Sequence, residues 1–497
     1  MNHHLPFAIG LACVIALGGC YPEERFWWSP DGRQAAVVID HRLHLAATDG
    51  GLSGELTDPG TGDDRLLVQG ADWLGDGSGL LVHRLRLLGD WDRAARWLPT
   101  GETARIRRLA DSLPAMIKTA LVADAEAETF RAALQTVAGD QRPWLTNAIQ
   151  LAASERADEV REALAGRPDW RQQWDDLLDG PALFVIHELA LATVSGEAAS
   201  WTVLVSTSQR LERPRACPES NLAAYLRLDE RRDTAGLEII DLAGGAPVEV
   251  VGGISRAFDW APDGRSLVFL TPLAGSETIV RQVRRVTFGE ALEAGTPLPT
   301  EVLATALAPF APRLQVLPDG RILFAAQAGS LPVAEVDLSA GGSLFLLPAA
   351  GGAPERVPTP PGALPTDLGY FVACPDGRRV AVVEGQTDMV AVVDLVTGQT
   401  EAVSPPHPDW QCRTLPAWRS ADDLTFAAFH PGSNRVEWMQ WNRTTGLANL
   451  SAGWPGEATS SWLRPRPRPT RPTGFDPGQE VLELDRLAPA HSPVVLP

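Results

Sequence analysis

The feature that most constrains the fold is a short phrase that returns along the chain: an aromatic or apolar residue, then Pro-Asp-Gly, then an apolar run. In such a phrase proline presets φ at the second turn position, aspartate caps its own backbone, and glycine closes the turn. The apolar runs are rich in Val, Leu and Phe, as buried strands are. We therefore predict one repeated turn-plus-strand unit. Its four full turns are Pro30-Asp31-Gly32, Pro262-Asp263-Gly264, Pro318-Asp319-Gly320 and Pro375-Asp376-Gly377.

The spacing of the phrase indicates the size of the unit. Degenerate copies follow Trp73 and Trp418, so the phrase aspartates lie at positions 31, 76, 263, 319, 376 and 422. The intervals are 45, 187, 56, 57 and 46 residues. A period of roughly 40–55 residues with several short strands per unit is typical of the blades of a β-propeller. The fold class predicted is therefore all-β.

The long interval is predicted to hold a helical insertion at residues 101–179. Within it, Arg105–Leu109 and Ala125–Val137 carry apolar residues three and four positions apart, and Gly is sparse. Removing about 80 helical residues leaves about 107, which is two ordinary units. The segment Asn221–Val251 supplies the unit that lacks the phrase. The count predicts seven blades, with six as the alternative, and places the helices inside the second blade.

The phrase Trp28-Ser29-Pro30-Asp31-Gly32-Arg33, followed by an apolar strand, resembles the PD40, or WD40-like, repeat of TolB-type β-propellers. The resemblance extends from about Phe26 to about Trp462, apart from the insertion. It implies a propeller at residues 20–463. It implies little about function, because propellers host binders, scaffolds and enzymes alike.

Residues 1–19 are predicted to be a signal peptide. Leu5–Ala16 is apolar but too short to remain as a transmembrane helix. It ends in Leu17-Gly18-Gly19-Cys20, which resembles a bacterial lipobox. The resemblance implies cleavage before Cys20, lipidation of its thiol and acylation of the new amine by a fatty acid such as palmitate. The alternatives are an ordinary secretory signal and a chance match, because no Lys or Arg precedes the apolar stretch. Tyr21, which is not Asp, favours the outer membrane, with the protein facing the periplasm.

Three further cysteines follow Cys20 in the mature chain: Cys217, Cys374 and Cys412. In an oxidising compartment they can form at most one internal disulfide. Cys374 and Cys412 precede consecutive repeat phrases, so neighbouring inner strands could bring them together. The predicted pair is therefore Cys374–Cys412. The alternative is that both are small buried apolar residues.

Composition and motifs exclude several functions. The formal net charge of −19 disfavours a nucleic-acid partner, whose phosphates would be repelled. The chain has no G-x-S-x-G elbow, no H-E-x-x-H, no paired C-x-x-C and no phosphate loop that follows a strand and opens a helix. The phrase aspartates could be imagined as calcium ligands, but turn capping accounts for them. We therefore predict no catalytic residue, no metal site and no cofactor.

Two hypotheses for function remain. The first is a non-catalytic binding or scaffold protein of the cell envelope, with a protein, peptide or glycan partner at the blade loops and channel mouth. The alternative is an envelope enzyme, a lyase or hydrolase, with its active site in the central funnel. A deep polar pocket with perturbed carboxylates would favour catalysis, and a shallow disc face would favour binding.

The two segments outside the repeat have their own predictions. The insertion either buries only its own apolar stripe, or caps the central channel, or docks a partner through exposed Trp144, Trp170 and Trp174. Residues 464–497 are predicted to be a flexible tail, because the Arg-Pro tract at its start cannot form a strand.

Overall fold

The structure, a computed structural model, describes residues 24–56, 58, 65–123, 129–179, 183–196, 198–229, 234–273, 280–289, 298–308, 313–326, 343–358, 370–383, 389–404, 410–412, 414–430 and 435–454. Within them, strands form seven antiparallel sheets, each of four strands consecutive in the chain. The prediction of an all-β propeller with seven blades is confirmed. The predicted lipidation site Cys20 and the tail at 464–497 lie outside the described residues.

Each blade is an up-and-down sheet whose first strand lies innermost. Blades 1 and 2 consist of β1 (Phe26–Trp28), β2 (Gln34–Ile39), β3 (Arg42–Ala47) and β4 (Leu52–Glu55), then β5 (Arg65–Trp73), β6 (Gly79–Leu88), β7 (Phe184–Ser195) and β8 (Ala198–Thr207). Blades 3 and 4 consist of β9 (Leu211–Ala216), β10 (Leu222–Asp229), β11 (Thr234–Asp241) and β12 (Val248–Ile254), then β13 (Phe258–Trp260), β14 (Ser266–Pro272), β15 (Val280–Thr287) and β16 (Thr300–Leu307).

The remaining three blades follow the same order. Blade 5 consists of β17 (Leu314–Val316), β18 (Ile322–Ala326), β19 (Ser343–Leu347) and β20 (Glu355–Arg356). Blade 6 consists of β21 (Phe371–Ala373), β22 (Arg379–Val383), β23 (Val390–Asp394) and β24 (Thr400–Ala402). Blade 7 consists of β25 (Ala417–Trp418), β26 (Asp423–His430), β27 (Arg435–Asn442) and β28 (Gly446–Asn449).

The helical insertion joins β6 to β7 of the second blade, as predicted. Its first helix begins at Trp91, ten residues before the predicted boundary, because Asp90 accepts a capping hydrogen bond from the Arg93 amide at 2.9 Å. No helix among the described residues is both long and apolar enough to cross a bilayer. The helices are α1 (Trp91–Trp97), α2 (Thr100–Ala123), α3 (Phe130–Ala138), α4 (Arg142–Glu155), α5 (Ala157–Ala163) and α6 (Pro168–Leu178).

The insertion encloses a hydrophobic core of its own, and the predicted docking tryptophans belong to that core. Trp170 and Trp174 are fully buried and Trp144 is 8% exposed. Phe130 packs against Trp174 edge-on, with ring centroids 5.9 Å apart. The prediction that these three tryptophans form an exposed docking surface is therefore wrong. Six helices that pack on one another need large apolar side chains at their centre, and these residues fill it.

Polar contacts fasten the insertion to the propeller. Glu102 of α2 accepts hydrogen bonds from Thr207 Oγ1 at 2.7 Å and from the Ser208 amide at 2.8 Å. The Asn147 side chain of α4 exchanges two hydrogen bonds of 2.8 Å with the backbone of Val185 at the start of β7. The insertion is thus attached to the second blade at the start of β7 and just after the end of β8.

The third blade lacks the Pro-Asp-Gly phrase, and its inner strand β9 was not predicted. Arg, Glu and Pro within Leu211–Ala216 hide its strand character. The turn after it reads Ala216-Cys217-Pro218-Glu219, which parallels Ala373-Cys374-Pro375-Asp376 of blade 6. Alignment of these two tetrapeptides would have located the missing strand.

The four Pro-Asp-Gly turns join first to second strands of blades 1, 4, 5 and 6. In each turn the glycine has positive φ, between 61° and 83°. Each aspartate Oδ1 accepts a hydrogen bond from the amide two residues later. These bonds run from Arg33 to Asp31 at 3.1 Å, Arg265 to Asp263 at 2.8 Å, Arg321 to Asp319 at 3.1 Å and Arg378 to Asp376 at 2.9 Å.

Replacing Gly264 by Val is expected to destabilise the propeller by on the order of 3 kcal/mol. Its φ is +61°, and an added Cβ would lie 2.8 Å from Glu219 Cβ and 3.1 Å from Cys217 Sγ. Gly54→Val is the control, because a Cβ there meets no atom within 4 Å. Urea unfolding followed by tryptophan fluorescence measures both. Equal midpoints for the two variants would contradict the turn assignment.

Tryptophans of the repeat tie four of the blades, 1, 2, 4 and 7, to the blade before them. Four of them donate their indole N–H groups backwards around the ring, so one residue type supplies both apolar packing and a specific bond between sheets. The bonds are Trp28 Nε1 to Thr425 Oγ1 at 2.9 Å, Trp73 Nε1 to Trp27 O at 2.8 Å, Trp260 Nε1 to Arg215 O at 3.1 Å and Trp418 Nε1 to Val372 O at 2.9 Å.

Cys217, Cys374 and Cys412 are free thiols, and the predicted Cys374–Cys412 disulfide is absent from the structure. Both residues lie in one hydrophobic cluster between blades 6 and 7. The Cys374 thiol donates to Ala421 O and the Cys412 thiol donates to Thr414 O, both at 3.7 Å. Burial raises the pKa of the Cys374 thiol to about 12. Each sulfur is therefore directed at a carbonyl group rather than at the other sulfur.

Candidate functional site

The inner strands enclose a channel along the axis of the ring, with a cavity of about 570 Å³. One residue from each inner strand lies at the same level of this wall, because the pairing of first with second strands is equivalent in all seven blades. We call these seven residues the channel ring. On blades 2 to 5 they are polar and on blades 6, 7 and 1 they are apolar. In blade order from blade 2 they are Asp72, Arg215, Asp259, Gln315, Val372, Ala417 and Trp27.

Polar members of the channel ring also bind the neighbouring blade. Three of them accept a hydrogen bond from a backbone amide of the next inner strand. Within the described part of the chain adjacent blades share no strand ladder, so these bonds satisfy amides that would otherwise face the channel. They are Ala216 N to Asp72 Oδ2 at 2.9 Å, Val316 N to Asp259 Oδ2 at 2.9 Å and Ala373 N to Gln315 Oε1 at 2.7 Å.

An ion cluster crosses the channel at one end. Glu24 Oε1 accepts hydrogen bonds from Arg215 of blade 3 and from Arg313, which precedes blade 5, both at 2.7 Å. Glu24 Oε2 accepts a third from Trp27 Nε1 of blade 1 at 3.1 Å. Burial alone would raise the pKa of Glu24, but the two guanidinium charges outweigh it and hold the pKa far below its ordinary value. Glu24, Arg215 and Arg313 are called the ion cluster below.

The strand order distinguishes the two faces of the disc. In an up-and-down blade, the turns after the first and third strands share one face, which we call the turn face. The second-to-third and blade-to-blade connections share the other, the loop face, which also carries the helical insertion. The cavity reaches the turn face, where Pro218, Pro262, Pro318 and Pro375 line it. The ion cluster lies towards the loop face. The cavity is therefore a pocket with its mouth on the turn face and the ion cluster at its floor.

Two channel carboxyl groups have raised pKa values. Burial raises the pKa of Asp72 to about 7, although Arg215 and the Ala216 amide oppose the shift. Burial likewise raises the pKa of Asp259, against the opposing Val316 amide and the two arginines. Near neutral pH the Asp72 carboxyl group thus exchanges its proton, above a floor of fixed charges.

Asp72→Asn is expected to gain stability relative to the wild type as pH rises. The folded pKa of Asp72 is raised from 3.8 to about 7, so its stabilising effect is complete below pH 3.8 and is lost as pH rises towards 7. Asparagine stays neutral at every pH, and its side-chain oxygen can still accept the hydrogen bond from the Ala216 amide. Urea midpoints of both proteins at a series of pH values between these limits measure the difference.

The control for this pH series is Asp31→Asn. A hydrogen bond from Ser29 lowers the pKa of Asp31 below its ordinary value of 3.8. The stability that ionised Asp31 contributes is therefore lost as pH falls below 3.8, and not as pH rises. If the difference in urea midpoint between Asp72→Asn and the wild type stays constant with pH, the raised pKa of Asp72 is contradicted.

Of the residues singled out from the sequence, those that lie at the pocket are turn residues at its mouth. The turn prolines Pro262, Pro318 and Pro375 lie on its rim, whereas the channel ring and the ion cluster were not predicted. The signal for the ring was present: its residues immediately precede the aromatic or apolar residue of each phrase, as Asp72 precedes Trp73. Glu24 and Arg313 carry no such signal. Among the described residues, no group of three or more His, Cys, Asp or Glu side chains is placed to hold a metal ion.

Comparison with known proteins gives the following results. No protein-family model matches the chain, and no curated protein does. Among solved structures, TolB from Acinetobacter baumannii is 15% identical, with a TM-score of 0.37 over 57% of this chain and 67% of TolB. The Cps50 (Swd1) β-propeller domain of Myceliophteria thermophila is 9% identical, with a TM-score of 0.43 over 85% of this chain and 97% of that domain. A chain of a nidogen/laminin complex is 9% identical, with a TM-score of 0.35 over 55% and 92% of the two chains.

Proposed function

We propose that this protein is a lipid-anchored β-propeller of the bacterial cell envelope that binds a protein, peptide or glycan partner at the turn-face pocket. The observation that carries the proposal is the pocket itself, a cavity of about 570 Å³ to which all seven inner strands contribute. The anchor is Cys20, within the lipobox-like Leu17-Gly18-Gly19-Cys20. The anchor would hold the protein at a membrane, and the pocket would select what it binds there.

The chemistry of the pocket supports a ligand with both apolar and polar groups. A volume of about 570 Å³ is within the range of ordinary ligand sites, and it suits a few side chains or sugar units. Trp27, Trp28, Trp260 and Trp418 contribute aromatic surface to the wall. Aromatic rings pack against peptide side chains and sugar faces, and the polar half of the channel ring supplies hydrogen-bonding groups that would orient such a ligand.

The binding test uses the full lipidated chain extracted in mild detergent, with partners recovered by co-purification. Val372→Arg places a long charged side chain in the apolar half of the channel ring. Val396→Arg is the matched control, because Val396 is 73% exposed on the turn face outside the pocket. We expect the wild type and Val396→Arg to retain a common partner that Val372→Arg loses. Identical partners for all three proteins would refute binding in the pocket.

Replacing Cys20 by Ser is expected to abolish labelling by a palmitate analogue and to move the protein into the soluble fraction, because the thiol that receives the lipid is gone. Cys217→Ala is the matched control, since Cys217 is a buried free thiol and its loss should leave labelling unchanged. Membrane fractionation and lipid labelling of both variants measure the effect. A Cys20→Ser variant that still partitions with membranes would exclude the anchor.

A second candidate function is favoured by the channel carboxyl groups. A pocket that holds a carboxyl group with a pKa near neutrality, as Asp72 has at about 7, is what a lyase or hydrolase needs for proton transfer. Turnover of peptides or glycans by the wild type that Asp259→Asn abolishes would support an enzyme. Partner binding that survives Asp259→Asn without any turnover would support the binding protein instead.

A further inference from the structure

We propose that the loop face of the propeller lies against the membrane, so that the pocket mouth on the turn face points away from the lipid. This orientation rests on the lipid anchor at Cys20 proposed above and adds to it. A lipid on a long tether would leave the disc free to tumble. The geometry at the start of the described chain removes that freedom.

The position of Glu24 is fixed within the ring. Its carboxylate binds Arg215 and Arg313 at 2.7 Å each and Trp27 Nε1 at 3.1 Å. These three partners belong to, or directly precede, blades 3, 5 and 1. Because contacts on three sides hold one side chain, the chain before residue 24 starts from a defined point near the axis of the disc.

The direction of the first strand places that point on the loop-face side. Strand β1 runs from Phe26 to Trp28 and continues into the turn at Asp31, which lies on the turn face. Glu24 precedes this strand, so it lies at the end of the strand farthest from the turn face. The helical insertion emerges on the same side, where Glu102 binds Ser208 after β8.

Covalent length then limits where the lipid can be. Cys20 lies four residue steps before Glu24, and a chain spans at most about 3.6 Å per step, which gives a reach of about 14 Å. Asp31 lies seven residues beyond Glu24, and seven extended residues rise roughly 23 Å. A lipid within that reach cannot pass through the pocket to the turn face, whereas the loop face is directly accessible to it.

This orientation has three consequences in the envelope. The bilayer lies next to the loop face, so the helical insertion on that face lies near the lipid headgroups. The pocket mouth opens towards the aqueous side, so a partner reaches it without crossing the anchored surface. The ion cluster at the pocket floor separates the ligand from the tether.

The test compares one label on each face of the lipidated full-length protein bound to phospholipid vesicles. Val396→Cys places a thiol on the turn face of blade 6, and Arg435→Cys places one on the loop face of adjacent blade 7. The native residues are well exposed, at 73% for Val396 and 58% for the Arg435 side chain. Cys217, Cys374 and Cys412 are buried and should not react with a polar maleimide fluorophore.

Vesicles that carry a nitroxide on the lipid headgroup quench only fluorophores near the surface. We expect quenching of the label at position 435 and no quenching above background at position 396. A long Gly/Ser linker inserted after Pro22 should abolish the difference while the protein stays bound. Stronger quenching at 396, or equal quenching at both positions without the linker, would overturn the orientation while the anchor stands. Failure of the lipidated protein to bind vesicles would overturn the anchor itself.

Discussion

Replacing Glu188 by Ala is expected to destabilise the second blade by roughly 3–5 kcal/mol, because it removes the buried carboxylate that two buried guanidinium groups share. Glu188 is fully buried on β7, between Arg84 and Arg86 of β6, which are each 1% exposed. Its Oε2 accepts a hydrogen bond from Arg84 Nε at 2.8 Å, and its Oε1 accepts one from Arg86 Nε. The Arg86 guanidinium also stacks 3.7 Å from the ring of Trp97, in the first helix of the insertion. The same carboxylate therefore supports both the blade and its junction with the helices.

Two controls separate this effect from the loss of any ion pair. Glu55→Ala removes a carboxylate that binds Arg42 at 2.8 Å on the surface, where we expect a cost below about 1 kcal/mol. A triple variant, Glu188→Ala with Arg84→Met and Arg86→Leu, removes all three buried charges and should recover much of the lost stability. Urea unfolding monitored by tryptophan fluorescence compares the four proteins. If Glu188→Ala unfolds at the same urea concentration as Glu55→Ala, the network does not stabilise the fold.

The second large effect is expected where the ring closes. Trp438 of blade 7 is fully buried and stacks on Phe26 of blade 1, with ring centroids 5.0 Å apart. Trp28 and Trp454 lie 5.7 Å from the same ring. In the described residues blades 1 and 7 share no strand, so side chains such as these hold the two ends of the propeller together. Trp438→Ala should cost roughly 3–5 kcal/mol, since it removes the centre of this cluster.

Trp438→Phe is the matched control for the closure. The Trp438 Nε1 atom has no hydrogen-bond partner among the described residues, so phenylalanine loses area but no hydrogen bond. We expect its cost to be well below that of alanine. Free energies of unfolding from urea titrations give both values, and limited proteolysis shows whether the junction opens first. Equal losses for the two variants would show that ring stacking does not close the propeller.

The blades could be predicted because their signals are local. A Pro-Asp-Gly turn depends on the φ preferences of its own residues, so the turns at Asp31 and Asp263 are recognisable without any knowledge of their neighbours. Helix periodicity is local in the same way and indicated the insertion. β9 was missed because its strand character depends on burial against other blades rather than on its own residues. The docking role given to Trp170 failed for a related reason, since exposure cannot be read from residue type.

The sequence by itself determined a repeat of turn-linked strands, its period, and the blade that holds the helices, because backbone preferences and apolar periodicity act over a few residues. Only the tertiary structure decided which groups meet at the axis. The ion cluster joins Glu24 to Arg215 and Arg313, which are 191 and 289 residues away in the chain. These residues come into contact only when the ring closes, and closure depends on the geometry of all seven blades. The closed ring therefore creates the pocket, its polar half and the position of the tether.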